Sequence, residues 1–213
     1  MTEHRRPATS VRAGFAREDW NARYARKELI WTAEPNRLFA AEVGALEPGR
    51  ALDLACGEGR NAVWLAERGW RVTAVDFSDV ALGKGARLAE SRGVEVEWVV
   101  ADVLGYEPEP RGFDLVAVLY LQLPNDELVL ALRHAADAVA PGGTLFVLGH
   151  DATNLEDGYG GPRDVAVLFT PEDVVAAVGG LAVERAEKVE RVVALPEGAT
   201  ATAIDALVRA VRV

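Results

Sequence analysis

The sequence predicts a three-layer α/β fold in which helices cover both faces of a mostly parallel sheet. Short apolar segments and longer helical patterns alternate from residue 50 to residue 148. The apolar segments are nearly continuous, as in Ala51-Leu52-Asp53-Leu54, which is typical of strands buried on both sides by helices. Glycine and proline residues separate the segments, as expected of short connections between strands and helices.

Two helices are predicted ahead of this alternation. Residues 1–14 are polar and charged, and we expect a flexible tail there. Residues 15–30 place Trp20 and Tyr24 on one stripe of a helix. Pro35 suits the first turn of a second helix, because proline lacks the amide hydrogen that this position does not need.

The alternating elements then follow in order. The predicted strands are 50–54, 71–75, 94–100, 113–119 and 144–148. The predicted helices are 60–68, 79–90 and 126–140, and each of them is followed by a glycine within three residues. The connection 101–112 holds two prolines, so any helix in it must be brief.

The C-terminal part departs from this pattern. Residues 151–168 are polar and glycine-rich without a clear period, which indicates a functional or mobile segment. Thr170 is a good N-cap for a helix that begins at Pro171. Two extended runs, 181–194 and 201–213, flank Pro196-Glu197-Gly198 and predict a hairpin.

Composition limits the classes of function. The net charge of −10 argues against a broad nucleic-acid-binding face. No apolar run approaches the roughly 20 residues that a membrane helix needs, and no apolar stretch follows the N-terminal arginines as it would in a signal peptide. The single cysteine excludes an internal disulfide, and we expect a cytoplasmic protein.

Acidic residues follow three successive predicted strands. Asp53 leads into a turn with Gly57 and Gly59, Asp76 follows the second strand, and Asp102 follows the third. Each carboxylate alone is a common turn or cap residue. Ligands of parallel sheets bind beyond the carboxyl ends of the strands, so three carboxylates around a glycine turn indicate a binding site.

The chemistry of these positions suits a nucleoside. Asp76 can accept hydrogen bonds from both ribose hydroxyls, and Asp102 can accept one from an exocyclic amine. The amide of Val103 can serve a ring nitrogen, while Phe77 and Val103 enclose the base. No lysine follows the glycines directly, which excludes a P-loop.

With Asp53-x-x-Cys56-Gly57-x-Gly59, Asp76 and Asp102 in this order, the sequence resembles the class I S-adenosylmethionine (SAM) dependent methyltransferases. The resemblance implies a Rossmann-like, seven-stranded, mostly parallel sheet with an antiparallel terminal strand. It implies SAM as cofactor and S-adenosylhomocysteine (SAH) as product. The cofactor-binding residues that it implies are Trp20, Tyr24, Asp53, Ala55, Cys56, Gly57, Gly59, Asp76, Phe77, Ala101, Asp102, Val103 and Leu119.

Within that family, residues 52–61 are similar to the tellurite-resistance and thiopurine methyltransferase branch, which acts on small soft nucleophiles. Residues 15–47 are similar to a helical lid over the cofactor, ahead of a Rossmann-like core over 48–213, so that 15–213 form one domain. Ala55 departs from the family, since many members have glycine there. Alanine is tolerated at this position if its φ is negative.

The expected reaction is in-line methyl transfer to a small-molecule thiol, selenium or tellurium oxyanion, or hydroxyl. A base is needed only if the nucleophile is protonated. His150, beside Asp151 at the end of the fifth strand, is either that base or a loop histidine. Arg60 either faces the cofactor carboxylate or forms a surface ion pair. Cys56 is best interpreted as a small buried side chain.

Two other interpretations remain open. Gly57-x-Gly59-x-x-Ala62 formally fits an NAD(P)-binding oxidoreductase, but Asp102 would repel a pyrophosphate. A protein that binds SAM without catalysis is also compatible with the sequence. The histidines are scattered, so we expect no metal site. We expect a monomer or homodimer whose partner is the small-molecule acceptor, with neither nucleic acid nor membrane.

Overall fold

The middle layer of the computed structural model is a seven-stranded sheet of order β3-β2-β1-β4-β5-β7-β6, and the structure describes residues 15–213. The predicted tail, residues 1–14, lies outside the described residues. The strands are β1 Arg50–Leu54, β2 Arg71–Asp76, β3 Glu97–Val100, β4 Phe113–Leu119, β5 Val139–His150, β6 Ala182–Ala194 and β7 Thr200–Val211. All neighbours pair in parallel except β7, which runs antiparallel to both β5 and β6. This arrangement confirms the predicted fold class.

Helices lie on both faces of the sheet. They are α1 Arg17–Tyr24, α2 Arg37–Val43, α3 Arg60–Ala66, α4 Asp79–Arg92, α5 Asn125–Ala138, α6 Asn154–Asp157 and α7 Pro171–Ala177. Side-chain caps fix several starts: Ser78 caps α4, and Thr170, the predicted N-cap, caps α7 through a capping box with Asp173. None of the helices among residues 15–213 combines the length and apolarity needed to cross a membrane.

The sheet is buried on both faces because successive side chains of its central strands point in opposite directions. In β5, Leu145 and Val147 join a core with α5 and α7, whereas Phe146 and Leu148 join a second core with α2 and α3. Phe146 is fully buried and packs edge-on against a phenylalanine of α2. The continuous apolar runs of the strands are the consequence of these two cores.

Several boundaries differ from the sequence prediction. Strand β5 begins at Val139 rather than at 144, because an irregularity in its pairing with β4 lets residues 139–143 continue the sheet. Pro35 precedes the helix instead of occupying its first turn, since Asn36 caps the amides of Leu38 and Phe39. Helix α1 ends at Tyr24, and turns replace any helix between 101 and 112.

Candidate functional site

A cavity of about 390 Å³ lies at the carboxyl ends of the central strands. Seven of the thirteen predicted cofactor residues line it: Trp20, Tyr24, Ala55, Asp76, Phe77, Asp102 and Val103. The remaining six, Asp53, Cys56, Gly57, Gly59, Ala101 and Leu119, lie in the turn and strand ends behind these residues. The topology thus brings the sequence-predicted residues together at one edge of the sheet.

The glycine turn has an unusual backbone. Gly57 and Gly59 have φ values of 55° and 71°, in the left-handed region where glycine carries no steric penalty. Ala55 also has a positive φ, 57°, so the condition of a negative φ under which alanine would be tolerated there is not met. A left-handed alanine costs about 1 kcal/mol, and this strain lies at the cavity wall.

Packing also requires the glycines. A Cβ at Gly59 would overlap the ring of Trp98, and one at Gly85 of α4 would come within 2.6 Å of the same ring. A Cβ at Gly57 would lie 2.9 Å from the hydroxyl of Tyr24. The turn is therefore enclosed between Trp98 on one side and the N-terminal segment on the other.

Asp76 connects the turn to β2. Its two carboxylate oxygens accept hydrogen bonds from the amides of Gly57 and Ser78, each at 2.8 Å. Burial raises the pKa of Asp76, and these two bonds oppose that rise. Each oxygen keeps a lone pair that can face a ligand in the cavity.

Asp53 lies beneath the turn. It is almost completely buried, and its Oδ2 atom has no hydrogen-bond partner among residues 15–213. Burial raises the pKa of Asp53 to about 7, with a further contribution from Asp76. A buried carboxyl oxygen without a partner is available to a donor on a bound ligand.

Asp102 combines both interpretations that the sequence allowed. Its Oδ1 atom accepts a hydrogen bond from the amide of Leu104 at 2.9 Å, as a loop-forming aspartate does. The same residue lines the cavity together with Val103. Its position therefore permits contact with a ligand without disturbing the loop.

A buried ion pair fixes the N-terminal segment to the turn. Lys84 of α4 donates to Glu58 at 3.0 Å and to the carbonyl oxygens of Tyr24 and Lys27. The carboxylate of Glu58 in turn accepts from the amides of Ile30 and Trp31 at 3.0 Å. Lys84 and Glu58 are only 7% and 2% exposed, so this pair is part of the interior.

Sequence reasoning missed this pair, although a signal existed. Lys84 stands between two glycines on the buried side of α4, where a solvated lysine is unexpected. Helix α1 is held to the same region by Arg17 and Asn21, which donate to Asp79. The Trp20 and Tyr24 rings pack against each other with centroids 5.6 Å apart.

A second group of side chains, the polar cluster, consists of Tyr120, His150, Arg191 and Asp205. The Tyr120 hydroxyl and the Arg191 Nε–H both donate to Asp205 Oδ2 at 2.8 Å. His150 Nδ1 lies 3.3 Å from Asp205 Oδ1, and the His150 and Tyr120 rings have centroids 5.0 Å apart. Tyr120 also lines the cavity, so the cluster adjoins it.

Asp205 is the centre of this cluster. It is fully buried on β7, where it pairs in register with His150 of β5. Burial opposes its ionisation, but the His150 ring nearby and the hydrogen bond from Arg191 outweigh that effect and hold the pKa of Asp205 below its ordinary value. The cluster therefore contains a buried carboxylate rather than a carboxylic acid at neutral pH.

Asp151, which follows His150 in the sequence, bonds to its own loop. Asp151 is fully buried, and its Oδ1 atom accepts from the amide and hydroxyl of Thr153 at 2.8 and 2.6 Å. Asp151 therefore stabilises its own loop, and the carboxylate that faces His150 Nδ1 is that of Asp205. The sequence signal for Asp205 is a carboxylate in the middle of a mostly apolar strand.

The remaining predicted residues have simpler surroundings. Cys56 is half-buried, and burial raises the pKa of its thiol, which suits a small packed side chain better than a nucleophile. Arg60 forms no ion pair among residues 15–213, so the surface ion pair that the sequence allowed is not seen in that part of the chain. Burial lowers the pKa of Arg60, and Asp53 opposes that change.

Comparison with known proteins agrees with this geometry. Residues 51–143 match a family described as a methyltransferase domain. A demethylmenaquinone methyltransferase of Thermus thermophilus is 40% identical over 104 residues, covering 47% of each chain. A ubiquinone biosynthesis O-methyltransferase of Xanthomonas campestris is 33% identical over 138 residues, covering 63% of this chain and 57% of that protein. The chain thus spans about half the length of these two relatives.

Solved structures share the fold over most of the chain. One concerns the conversion of a disulfide bond into a thioacetal group during echinomycin biosynthesis, with a TM-score of 0.73, 21% identity and coverage of 92% and 91% of the two chains. TehB from Haemophilus influenzae has a TM-score of 0.72 at 14% identity, covering 92% of this chain and 67% of its own. At these identities the likeness concerns the fold.

The site fits the cofactor of such a domain. The left-handed glycines open the backbone toward the cavity, Asp53 Oδ2 is unpaired, and Asp76 and Asp102 lie at two successive strand ends. Among residues 15–213 the cavity lining contains one basic side chain, Arg17, and four carboxylates, which would repel a pyrophosphate. Residues 51–143 therefore match a methyltransferase domain, and the cavity that this segment helps to line can accept a nucleoside cofactor such as S-adenosyl-L-methionine.

Proposed function

We propose that the protein transfers a methyl group from SAM to a small-molecule nucleophile by in-line displacement. The observation that carries this proposal is the convergence of the glycine turn, Asp76 and Asp102 on one cavity, inside the segment that matches a methyltransferase domain. The cofactor supplies an electrophilic methyl group on a sulfonium. The protein then needs chiefly to align the two reactants and to exclude water.

Each part of the site has a task in this proposal. The turn from Asp53 to Gly59 holds the amino-acid part of the cofactor, with Ala55 and Cys56 as its wall. Asp76 accepts hydrogen bonds from the ribose hydroxyls, and Asp102 accepts one from the adenine amine. Phe77 and Val103 enclose the base, and the Val103 amide serves a ring nitrogen. Ala101 and Leu119 complete the strand ends that support it.

The N-terminal segment, residues 15–47, acts as the lid in this proposal. Trp20 and Tyr24 line the cavity, and the Glu58–Lys84 pair anchors the chain that follows them. Closing the cavity with aromatic side chains removes water from the reacting groups. The tail 1–14 precedes this lid, and 15–213 act as one domain.

The acceptor is a small molecule that presents a thiol, a selenium or tellurium oxyanion, or a hydroxyl. Two relatives are named for demethylmenaquinone and for an O-methyltransferase of ubiquinone biosynthesis, which supports a small-molecule acceptor. Residues 52–61 support the tellurite-resistance and thiopurine branch. His150 is the base when the nucleophile carries a proton.

Calorimetry tests the cofactor assignment. We expect SAM and SAH to bind, NADH and NADPH not to bind, and Asp76→Ala to weaken SAM binding about 100-fold, because two hydrogen bonds to a charged group are lost. Glu107→Ala, a change in the loop after β3 outside the cavity lining, is the matched control. Binding of NADH with no response to SAM would overturn the proposal.

A methyl-acceptor screen over thiols, selenite, tellurite and phenols tests catalysis. Transfer to any of these acceptors, with loss of SAM and formation of SAH, supports an enzyme. Tight SAM binding without transfer to any acceptor would instead indicate a protein that binds SAM without catalysis.

A further inference from the structure

The polar cluster adjoins the cavity through Tyr120, whereas its other three members are not among the lining residues. Tyr120 forms part of the cavity lining, while its hydroxyl reaches away to Asp205 and its ring faces His150. The backbone of Tyr120 has a φ of 53°. Such backbone strain in a residue other than glycine persists only where the surrounding structure imposes it. The proposed function assigns a task to His150 but none to the buried carboxylate beside it.

Two buried atoms in this cluster have no other partner. His150 Nδ1 and Asp205 Oδ1 are both inaccessible to solvent, and neither makes a hydrogen bond among residues 15–213. They face each other at 3.3 Å, across a register pair of two adjacent strands. Because an unpaired buried polar atom is costly, the arrangement is satisfied only when Nδ1 and Oδ1 bond to each other.

This pairing fixes the tautomer of the imidazole. An ionised carboxylate can only accept hydrogen bonds, so Nδ1 must carry the hydrogen and Nε2 must hold the lone pair. Asp205 is held in its ionised form by the donors on its other oxygen, Tyr120 and Arg191. A histidine prepared in this way is a proton acceptor at Nε2, and its side chain remains 13% exposed.

We infer that Asp205 is a positioning residue for His150, and that the acceptor methylated by this protein presents a hydroxyl group. The inference rests on the proposed function and narrows its acceptor class. A thiolate, a selenide or an oxyanion attacks without a base, so a base held by a buried carboxylate serves a nucleophile that arrives protonated. A phenolic or enolic hydroxyl is such a nucleophile.

The proton balance follows from this assignment. The hydroxyl oxygen gains the methyl carbon, the carbon–sulfur bond of the sulfonium breaks, and its electron pair stays on the sulfur. The hydroxyl proton passes to Nε2 of His150. The positive charge lost by the sulfonium thereby appears on the imidazolium, next to the Asp205 carboxylate, and the proton later leaves to solvent.

The tautomer can be observed without any acceptor. The chain has three histidines, His4, His134 and His150, so ¹H–¹⁵N correlation spectra of their rings can be assigned with His150→Gln. In the unaltered protein we expect more than nine-tenths of neutral His150 to carry its hydrogen on Nδ1. A majority with hydrogen on Nε2 would overturn the positioning role.

Asp205→Asn gives the sharpest contrast. Tyr120 and Arg191 both donate to the Oδ2 position, so they retain the amide oxygen there and turn the amide NH₂ toward His150. Nδ1 must then accept, and we expect the main tautomer to change to Nε2–H. Asp151→Asn, a change in the other buried carboxylate near His150, is the matched control and keeps the Nδ1–H form.

Activity provides the second arm. The substrates are pairs of aromatic compounds that differ only in carrying a hydroxyl or a thiol group. We expect the protein to methylate the hydroxyl compound of each pair, and we expect Asp205→Asn to slow that methylation about 100-fold. SAM affinity stays within twofold in the same variant. Exclusive methylation of thiols, selenite or tellurite, at a rate independent of Asp205, would overturn the acceptor class. Failure to bind SAM would count against the proposed function instead, and the tautomer would still decide the role of Asp205.

Discussion

The glycine turn and the polar cluster both adjoin the same cavity, but they are built in opposite ways. The turn owes its shape to the backbone: three residues within five positions have a positive φ, and Asp76 bonds to amides. The polar cluster owes its shape to side chains from three strands, and from the residue that follows β4, that meet at one buried carboxylate, Asp205. The turn therefore depends on residue size and φ, and the cluster depends on charge pairing.

The largest expected effect is on the cluster. Asp205→Ala leaves Arg191, Tyr120 and His150 without their common acceptor, and we expect the free energy of unfolding to fall by about 4 kcal/mol. Urea denaturation measures this change. Asp102→Ala, which removes an exposed carboxylate with one loop bond, is the control, with a loss of about 1 kcal/mol. Equal losses would show that the cluster is not held by charge pairing.

The turn responds to size instead. Gly59→Ala adds a left-handed alanine and an overlap with Trp98, so we expect a loss of about 3 kcal/mol. Gly142 has a similar φ of 78° but no atom within 4 Å of an added Cβ. Gly142→Ala should therefore show only the conformational part, about 1 kcal/mol. Equal losses of unfolding free energy in the two variants would show that the overlap with Trp98 does not contribute.

Asp53, beneath the turn, makes the stability of the protein depend on pH. Its pKa is 3.8 in an unfolded chain and about 7 in the folded one. Between these values the folded protein keeps a proton that the unfolded chain has lost, so this carboxyl contributes stability at low pH and loses it as pH rises toward 7. We expect Asp53→Asn to remove roughly 2 kcal/mol of the stability difference between pH 5 and pH 7. Urea denaturation at both pH values checks this, and an unchanged pH slope would contradict it.

The smallest expected effect concerns Ala55. Ala55→Gly relieves the left-handed strain at φ 57°, and we expect a gain of about 1 kcal/mol, partly offset by the greater freedom of glycine in the unfolded chain. Thermal unfolding measures this gain. Ala62→Gly in α3 is the control, because a glycine inside a helix is destabilising. A loss at both positions would show that the strain at Ala55 is not real.

Local sequence features predicted the position of the glycine turn well. The strand, the glycine turn and the helix that follows occupy adjacent residues, so Gly57 and Gly59 could be identified from spacing alone. Ala55 is the exception, because the φ of a single residue depends on the turn around it and not on its own side chain. The helix predicted for 15–30 was too long, because the Lys84 and Glu58 contacts hold residues 27–31 in an irregular path.

The polar cluster could be predicted only in part. His150 was expected at the end of the fifth strand, where it lies, and Tyr120 directly follows β4. Their common partner was not Asp151, the adjacent residue in the chain, but Asp205 on a strand far along the sequence. Arg191 reaches the same carboxylate from the edge strand β6. No spacing rule connects these residues, since the register of an antiparallel pair is set by the whole hairpin.

The sequence by itself determined the layers, the parallel strands, the glycine turn and the acidic strand ends, because hydrophobic period and backbone φ preference reside in neighbouring residues. Only the tertiary structure decided which carboxylate meets His150, and which lysine anchors the N-terminal segment. Both choices pair groups that are distant in sequence, and burial makes each pair necessary, since a charged group removed from water must find a partner.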